Sequence, residues 1–280
     1  LDDTLWPTGP VVRAANAAVA EALGADADVL QARLKAARSG SLPQKPSYSE
    51  ARIQAIESWL HERDGTAEGR RTAAEDFFAL WLSERHAAAE RLLFDGAADA
   101  VAAVRTAHPD ALIAAVTNGR GDPLAMPALR SHFDFTVSAE DPLIWPERKP
   151  AAAPFLAALR TAGIRQPTPA QWAHIGDDLI NDVKAAKELG AWAVWLHAQD
   201  DDGGAEAGGA APATSPDDAA AASYWYSTMS GEERAARRAE AEGALGAADA
   251  TIADIRELPA ALSPQSRRRG RACPIPGLGA

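Results

Sequence analysis

The chain has 280 residues, 47% of them hydrophobic, and a net charge of −11, enough for one sizeable domain and a smaller companion. The acidic balance argues against a nucleic-acid surface, which needs a clustered basic face. No apolar run approaches the roughly 20 residues that span a bilayer, and the lone Cys273 leaves no internal disulfide framework and points to a reducing, intracellular setting.

Residues 1–8 read as a loop closing at Pro7. Val12, Ala15, Val19 and Leu23 recur at helical spacing and predict a helix over 10–23. A second helix is expected over 26–38, before Ser39-Gly40. Ser47-Tyr48-Ser49-Glu50 has the form of a capping box and opens a third helix with Ile53, Ile56 and Leu60 on its apolar face. A fourth, over 71–93, would bury Phe77, Phe78, Trp81 and Leu82. Residues 9–95 are therefore expected to form an all-helical unit.

After Gly96 the pattern changes. A helix over 97–108 leads to the apolar run 111–116, which suits a parallel strand covered on both faces. A strand over 133–137, a helix over 151–162, a strand ending at Gly176, an amphipathic helix stopping at Gly190 and a strand over 191–196 follow. Strands alternating with helices predict βαβ units and an α/β fold. Residues 200–222, rich in Ala, Gly, Asp and Pro, read as a disordered insertion. Beyond it come a surface helix over 232–245, a last strand over 250–255, a short helix to Leu262, and a disordered tail carrying Arg267, Arg268, Arg269 and Arg271.

Four groups carry chemistry. Asp177, Asp178 and Asp182 follow the strand that ends at Gly176, at the sheet edge where open α/β folds bind ligands. Carboxylates this close repel unless a cation or a helix N-terminus compensates them. They form either a solvated, Asp-capped turn or an oxygen-donor site for Mg²⁺. Thr117-Asn118-Gly119 ends the strand at Val116 and could be a simple turn. Lys149-Pro150 precedes a helix and Asp2-Asp3-Thr4 opens the chain; alone, each is an exposed polar group. Because the groups recur once per βαβ unit, one sheet edge could gather them all.

This ordered set resembles the haloacid dehalogenase-like superfamily. That family opens with Asp-x-Asp-x-Thr, and Leu1-Asp2-Asp3-Thr4-Leu5 is similar to that motif without its first Asp. Thr117-Asn118-Gly119 resembles the second motif, Lys149-Pro150 the third, and Gly176-Asp177 with Asp182 the fourth. The resemblance implies a Rossmann-like, doubly wound parallel sheet core formed by 1–8, 96–199 and 249–262. It also implies an inserted helical cap at 9–95, with 200–248 as a low-complexity insertion and 263–280 as a tail. The expected function is hydrolysis of a small phosphorylated metabolite with Mg²⁺ through an aspartyl-phosphate. Leu1-Asp2-Asp3-Thr4-Leu5-Trp6 and His174-Ile175-Gly176-Asp177-Asp178 look most like flavin mononucleotide phosphatases, linked also to a riboflavin-pathway phosphate.

By that resemblance Asp2 is the general acid/base and offers its main-chain carbonyl to Mg²⁺. Thr117, Asn118, Gly119 and Lys149 hold the phosphate, and Asp177 binds Mg²⁺. Asp182 or Asp178 holds metal-bound water or orients Lys149. The nucleophile would stand immediately before Leu1, so the chain is expected to be an N-terminal truncation that is inactive as written. The rivals are a hydrolytic dehalogenase on the same fold, which needs neither Mg²⁺ nor an acid at Asp2, and a non-catalytic binding protein. Trp6 or Trp145 could stack on an aromatic substrate, although both are more simply packing residues.

Overall fold

The computed structural model describes residues 1–39, 46–61, 66–197 and 231–263. Four helices come first: α1 (Thr8–Leu23), α2 (Ala27–Ser39), α3 (Tyr48–Leu60) and α4 (Ala67–Arg91). Their apolar stripes meet in a core of their own, with Val12, Ala15, Val19 and Leu23 from α1, Ile53 and Ile56 from α3, and Ala74 and Trp81 from α4. Gly24 ends α1 at φ 59°, in the left-handed region that favours glycine. Ser47 caps α3 by accepting from Glu50 N at 3.1 Å. Thr66 caps α4 by accepting from Gly69 N at 3.1 Å, so α4 starts a turn earlier than its aromatic face suggests.

The rest alternates as expected: α5 (Ala97–Ala107), β1 (Ala114–Thr117), β2 (Phe135–Ser138), α6 (Ala152–Thr161), β3 (Ala173–Gly176), α7 (Ala185–Glu188), β4 (Trp192–Leu196), α8 (Gly231–Ala244), β5 (Ala250–Ile252) and α9 (Leu258–Ala261). Every strand pairing is parallel, giving the α/β architecture. The pairing falls into two sheets, β1-β2 and β3-β4-β5, because β1 and β3 do not pair. The N-terminal turn bridges them: Leu5 and Trp6 belong to a core cluster shared with α5, β4 and β5, and Leu1, Ile113 and Ile175 pack against that cluster.

Four expectations need correction. The first strand is shorter than its apolar run, since Leu112 is 55% exposed and Arg105 holds the approach by donating to Ala111 O at 2.6 Å. Asp134 also accepts from Ile113 N at 2.7 Å, a turn contact that delays the ladder. The amphipathic helix after β3 opens as a π-helix (Leu179–Lys184) and becomes α7 only afterwards. The last strand stops at Ile252 because Asp254 and Glu257 form a reciprocal capping box that starts a 3-10 turn. The helix expected on the surface, α8, is more than a solvated segment: its buried Ala244 packs with Leu179, Ile180, Val183 and Ala193. The insertion at 200–222, the arginines of the tail and Cys273 lie outside the described residues. No described helix is long and apolar enough to cross a membrane.

Candidate active site

The site is built where β1 and β3 end, around the N-terminal turn. That turn is tight. Thr4 N and Leu5 N both donate to Leu1 O, at 3.1 and 2.8 Å, and Asp3 takes a left-handed φ of 57°. The Asp3 carboxylate accepts from Thr8 N at 2.9 Å, tying the turn to the start of α1. The turn thereby carries Thr4, 5% exposed, to β3, where its hydroxyl donates to Asp177 Oδ1 at 2.7 Å. Trp195 on β4 donates to Asp177 O at 2.9 Å and fixes the loop from below.

At the end of β1, Thr117 is 4% exposed and accepts from Gly119 N at 3.1 Å. Asn118 clamps the third motif: its Nδ2 donates to Lys149 O at 2.9 Å, and Lys149 N donates to its Oδ1 at 2.7 Å. Lys149 is almost fully buried. Its ammonium donates to Val116 O at 3.0 Å and to Asp182 Oδ1 at 2.5 Å. His174 Nε2 lies 3.1 Å from the same Asp182 oxygen. Burial holds the His174 pKa below its ordinary value despite Asp182, so a neutral imidazole donating Nε2–H to the carboxylate fits. Gly176 is required here for space, because a Cβ at that position would collide with the Asp182 side chain.

Asp182 is paired with Lys149 at 2.5 Å, and its charge acts in turn on the neighbouring Asp177. Burial, followed by the charges of Asp182 and Asp3, pushes the Asp177 carboxyl up to about 7. Burial also raises Asp182, but Lys149 and His174 outweigh it and hold that carboxyl well below the usual range. One carboxylate is thus neutralised by protein groups, while its neighbour is stabilised in its charged form only if a cation arrives.

Among the described residues no group of three or more His, Cys, Asp or Glu is arranged to hold a metal ion. The donors that remain are the Asp177 carboxylate and backbone oxygens of the N-terminal turn. Such a sparse, all-oxygen set fits Mg²⁺, which keeps several waters of its own. Asp182 makes the contact that orients Lys149, one of the two roles expected for it. Asp178 is committed elsewhere: it caps the π-helix through Ile180 N and Asn181 N at 2.9 and 2.8 Å, and takes Arg237 of α8 at 2.7 Å.

Two residues to which the sequence assigned no role, Arg85 and His174, complete the site. Asp2 Oδ1 accepts from Trp6 Nε1 at 2.7 Å and from Arg85 Nη2 of α4 at 2.5 Å. Burial would raise the Asp2 pKa, but Arg85 first and then the Trp6 N–H bring it below its ordinary value. Arg85 is one arginine among many on a helical face, and only its 2% exposure marks it out. His174 stood at the head of the motif quoted through Asp178, but the sequence assigned it no role.

A small cleft of about 30 Å³ lies between the helices and the sheet, lined by Asp2, Arg85, Gly119, Arg120, Phe78 and Trp81 among others. Trp6, fully buried and bonded to Asp2, is a packing residue, and Trp145 does not line the cleft. The aromatic wall comes instead from Phe78 and Trp81, whose rings stack 5.9 Å apart.

Solved structures similar to the chain include a 2-haloacid dehalogenase from Pseudomonas syringae pv. Tomato, 25% identical, with a TM-score of 0.63 over 94% of this chain and 95% of that one. A HAD phosphatase from Thermococcus onnurineus is 17% identical, with a TM-score of 0.45 over 94% and 95%. A magnesium-bound HAD-hydrolase from Bacillus subtilis is 19% identical, with a TM-score of 0.41 over 70% and 85%. No curated protein matches the chain. The profile of the haloacid dehalogenase-like hydrolases matches residues 1–190, two-thirds of the sequence and all four motif groups of the site; the chain belongs to that family of hydrolases.

Proposed function

We propose that the protein hydrolyses the phosphomonoester of a small metabolite with Mg²⁺, through an aspartyl-phosphate formed on an aspartate immediately before Leu1. The observation that carries this reading is the convergence of distant motifs: the Lys149 ammonium bridges the end of β1 and Asp182, beside the bonded pair Thr4 and Asp177. Phosphomonoesters hydrolyse among the slowest of biological bonds, so charge neutralisation and a positioned nucleophile are the chief requirements.

In this mechanism a carboxylate oxygen attacks phosphorus and the phosphorus–oxygen ester bond breaks. Asp2 gives its proton to the departing alkoxide, then takes one from the water that opens the acyl phosphate. Arg85 keeps Asp2 ionised in the free protein, which suits the second half. An arriving phosphate dianion raises the Asp2 pKa and so suits the first. Thr117 and the N–H groups of Asn118 and Gly119 orient phosphoryl oxygens. Lys149, held by Asp182, neutralises charge between phosphate and nucleophile. Bound at Asp177 and the Asp2 carbonyl, Mg²⁺ would offset phosphate charge and align the group. The helices α1–α4 serve as the cap that selects substrate, and the stacked Phe78 and Trp81 support a ring-bearing one, with flavin mononucleotide or a riboflavin-pathway phosphate first among candidates.

A second reading, hydrolytic dehalogenation, is favoured by the likeness to the Pseudomonas dehalogenase. Dehalogenation needs no metal and survives chelation, whereas phosphatase activity is lost in EDTA. Assay of a version extended upstream of Leu1 against flavin mononucleotide, sugar phosphates, phosphoglycolate and a 2-haloacid, with Mg²⁺ and with EDTA, decides between them.

A further inference from the structure

We propose that Arg85 forms a second recognition point in the cleft, a donor for an oxygen acceptor (a carboxylate or a ring carbonyl) on the part of the substrate remote from the phosphate. The inference rests on the phosphatase reading and deepens it. Arg85 is 2% exposed, and only one of its two terminal nitrogens is used: Nη2 donates to Asp2 Oδ1 at 2.5 Å. The other, Nη1, is buried with no hydrogen-bond partner, on a residue that lines the cleft. A guanidinium cannot shed its proton to escape this, so the N–H stays an unmet donor until an acceptor arrives.

The surroundings favour a ligand there over a packing role. Arg85 stands between the reaction centre, through Asp2, and the aromatic wall of Phe78 and Trp81. A substrate with its phosphate at Thr117 and Gly119 would extend along that wall past Arg85. Because Asp2 already offsets the guanidinium charge, the acceptor can be neutral or anionic, and geometry decides more than charge. Gly121 closes the other side: a Cβ there would lie 3.3 Å from Arg85 Nη1 and 3.2 Å from the Trp6 ring, so any larger residue crowds the donor.

The test is calorimetric titration of the 280-residue chain, in the presence of MgCl₂, with three probes: ethyl phosphate, phosphoglycolate and flavin mononucleotide. At least one of the last two should bind roughly tenfold more tightly than ethyl phosphate, as one added charge-assisted hydrogen bond warrants. A preference for phosphoglycolate identifies a carboxylate partner, and a preference for the flavin a ring carbonyl. Arg85→Met should reduce the preference to less than about threefold, and Arg85→Lys should keep part of it. Gly121→Ala keeps every charge and should still cut the preference several-fold while changing ethyl phosphate affinity less than about twofold, so the proposal remains testable if Arg85→Met fails to fold. An equal preference in the parent and in Gly121→Ala, or no preference in the parent, overturns the proposal. Failure of all three probes to bind overturns the phosphatase reading, and this one with it; binding without discrimination removes only the Arg85 subsite.

Discussion

Asp177 and Asp182 sit five residues apart and are driven in opposite directions, and the site depends on that difference. The folded pKa of Asp177, pushed up to about 7, lies above the ordinary 3.8. Between those pH values the folded chain holds a proton that the unfolded chain has lost, so this group makes stability fall as pH rises, with the full cost present above about 7. A cation at Asp177 removes the cost. MgCl₂ should therefore raise the melting temperature by several degrees at pH 8 and much less at pH 5. Asp177→Asn should melt higher than the parent at pH 8 without metal and gain nothing from MgCl₂. Scanning fluorimetry at the two pH values checks this, and an equal Mg²⁺ response in parent and variant would contradict it.

Asp182 runs the other way. Its depressed pKa gives a stabilising contribution present above the ordinary carboxylate range and lost as pH falls below it. Lys149→Met leaves that buried carboxylate with His174 alone and should cost about 3–5 kcal/mol in urea unfolding at pH 7. Replacing both partners, Lys149→Met with Asp182→Leu, should recover much of the loss, since the penalty belongs to the uncompensated charge. A single-variant loss below about 1 kcal/mol would show that the pair is not buried as described.

At the level of elements, Glu140, in the loop after β2, joins the helices to the sheet. Its carboxylate accepts from Tyr48 N at 2.9 Å and Ser49 N at 3.2 Å, and from the Ser49 hydroxyl, at the N-terminus of α3. Arg120, 3.4 Å away and 37% exposed, adds little beside these. Glu140→Ala should cost about 1.5–3 kcal/mol and speed amide exchange in the first turn of α3 above that in α5. Uniform exchange across both helices would show that Glu140 is not the local tie. Neither this contact nor Arg85 was legible in the sequence, because both join residues far apart along the chain with no motif between them. The helices were legible, since their stripes repeat at 3.6 residues, and so were the parallel strands, as apolar runs ended by Gly or Thr-Asn-Gly. The ends were less so. Side chains outside the pattern set them: Asp134 and Arg105 delay β1, Asp254 with Glu257 cuts β5, and Thr66 starts α4 early.

Across the whole molecule, one local sequence class builds the chemistry and another builds the cleft above it. Two motif groups fall at strand ends, Thr117-Asn118-Gly119 after β1 and Asp177 with Asp182 after β3, while Lys149 reaches them from the loop before α6 and Asp2-Asp3-Thr4 from the N-terminal turn. Asp178 takes the capping role that was one of the two readings of the acid cluster, and its second role, as an anchor for α8, did not announce itself. The aromatic cleft wall was equally hidden, because Phe78 and Trp81 follow the same helical spacing as core residues while also lining the cleft.

The most direct test is steady-state phosphate release by a version extended upstream of Leu1 with an aspartate at the position just before it. Turnover of flavin mononucleotide or another small phosphomonoester in MgCl₂, abolished by EDTA and restored by added Mg²⁺, is the expected result. Halide release from a 2-haloacid that persists in EDTA, with no phosphate release from any ester, would contradict it.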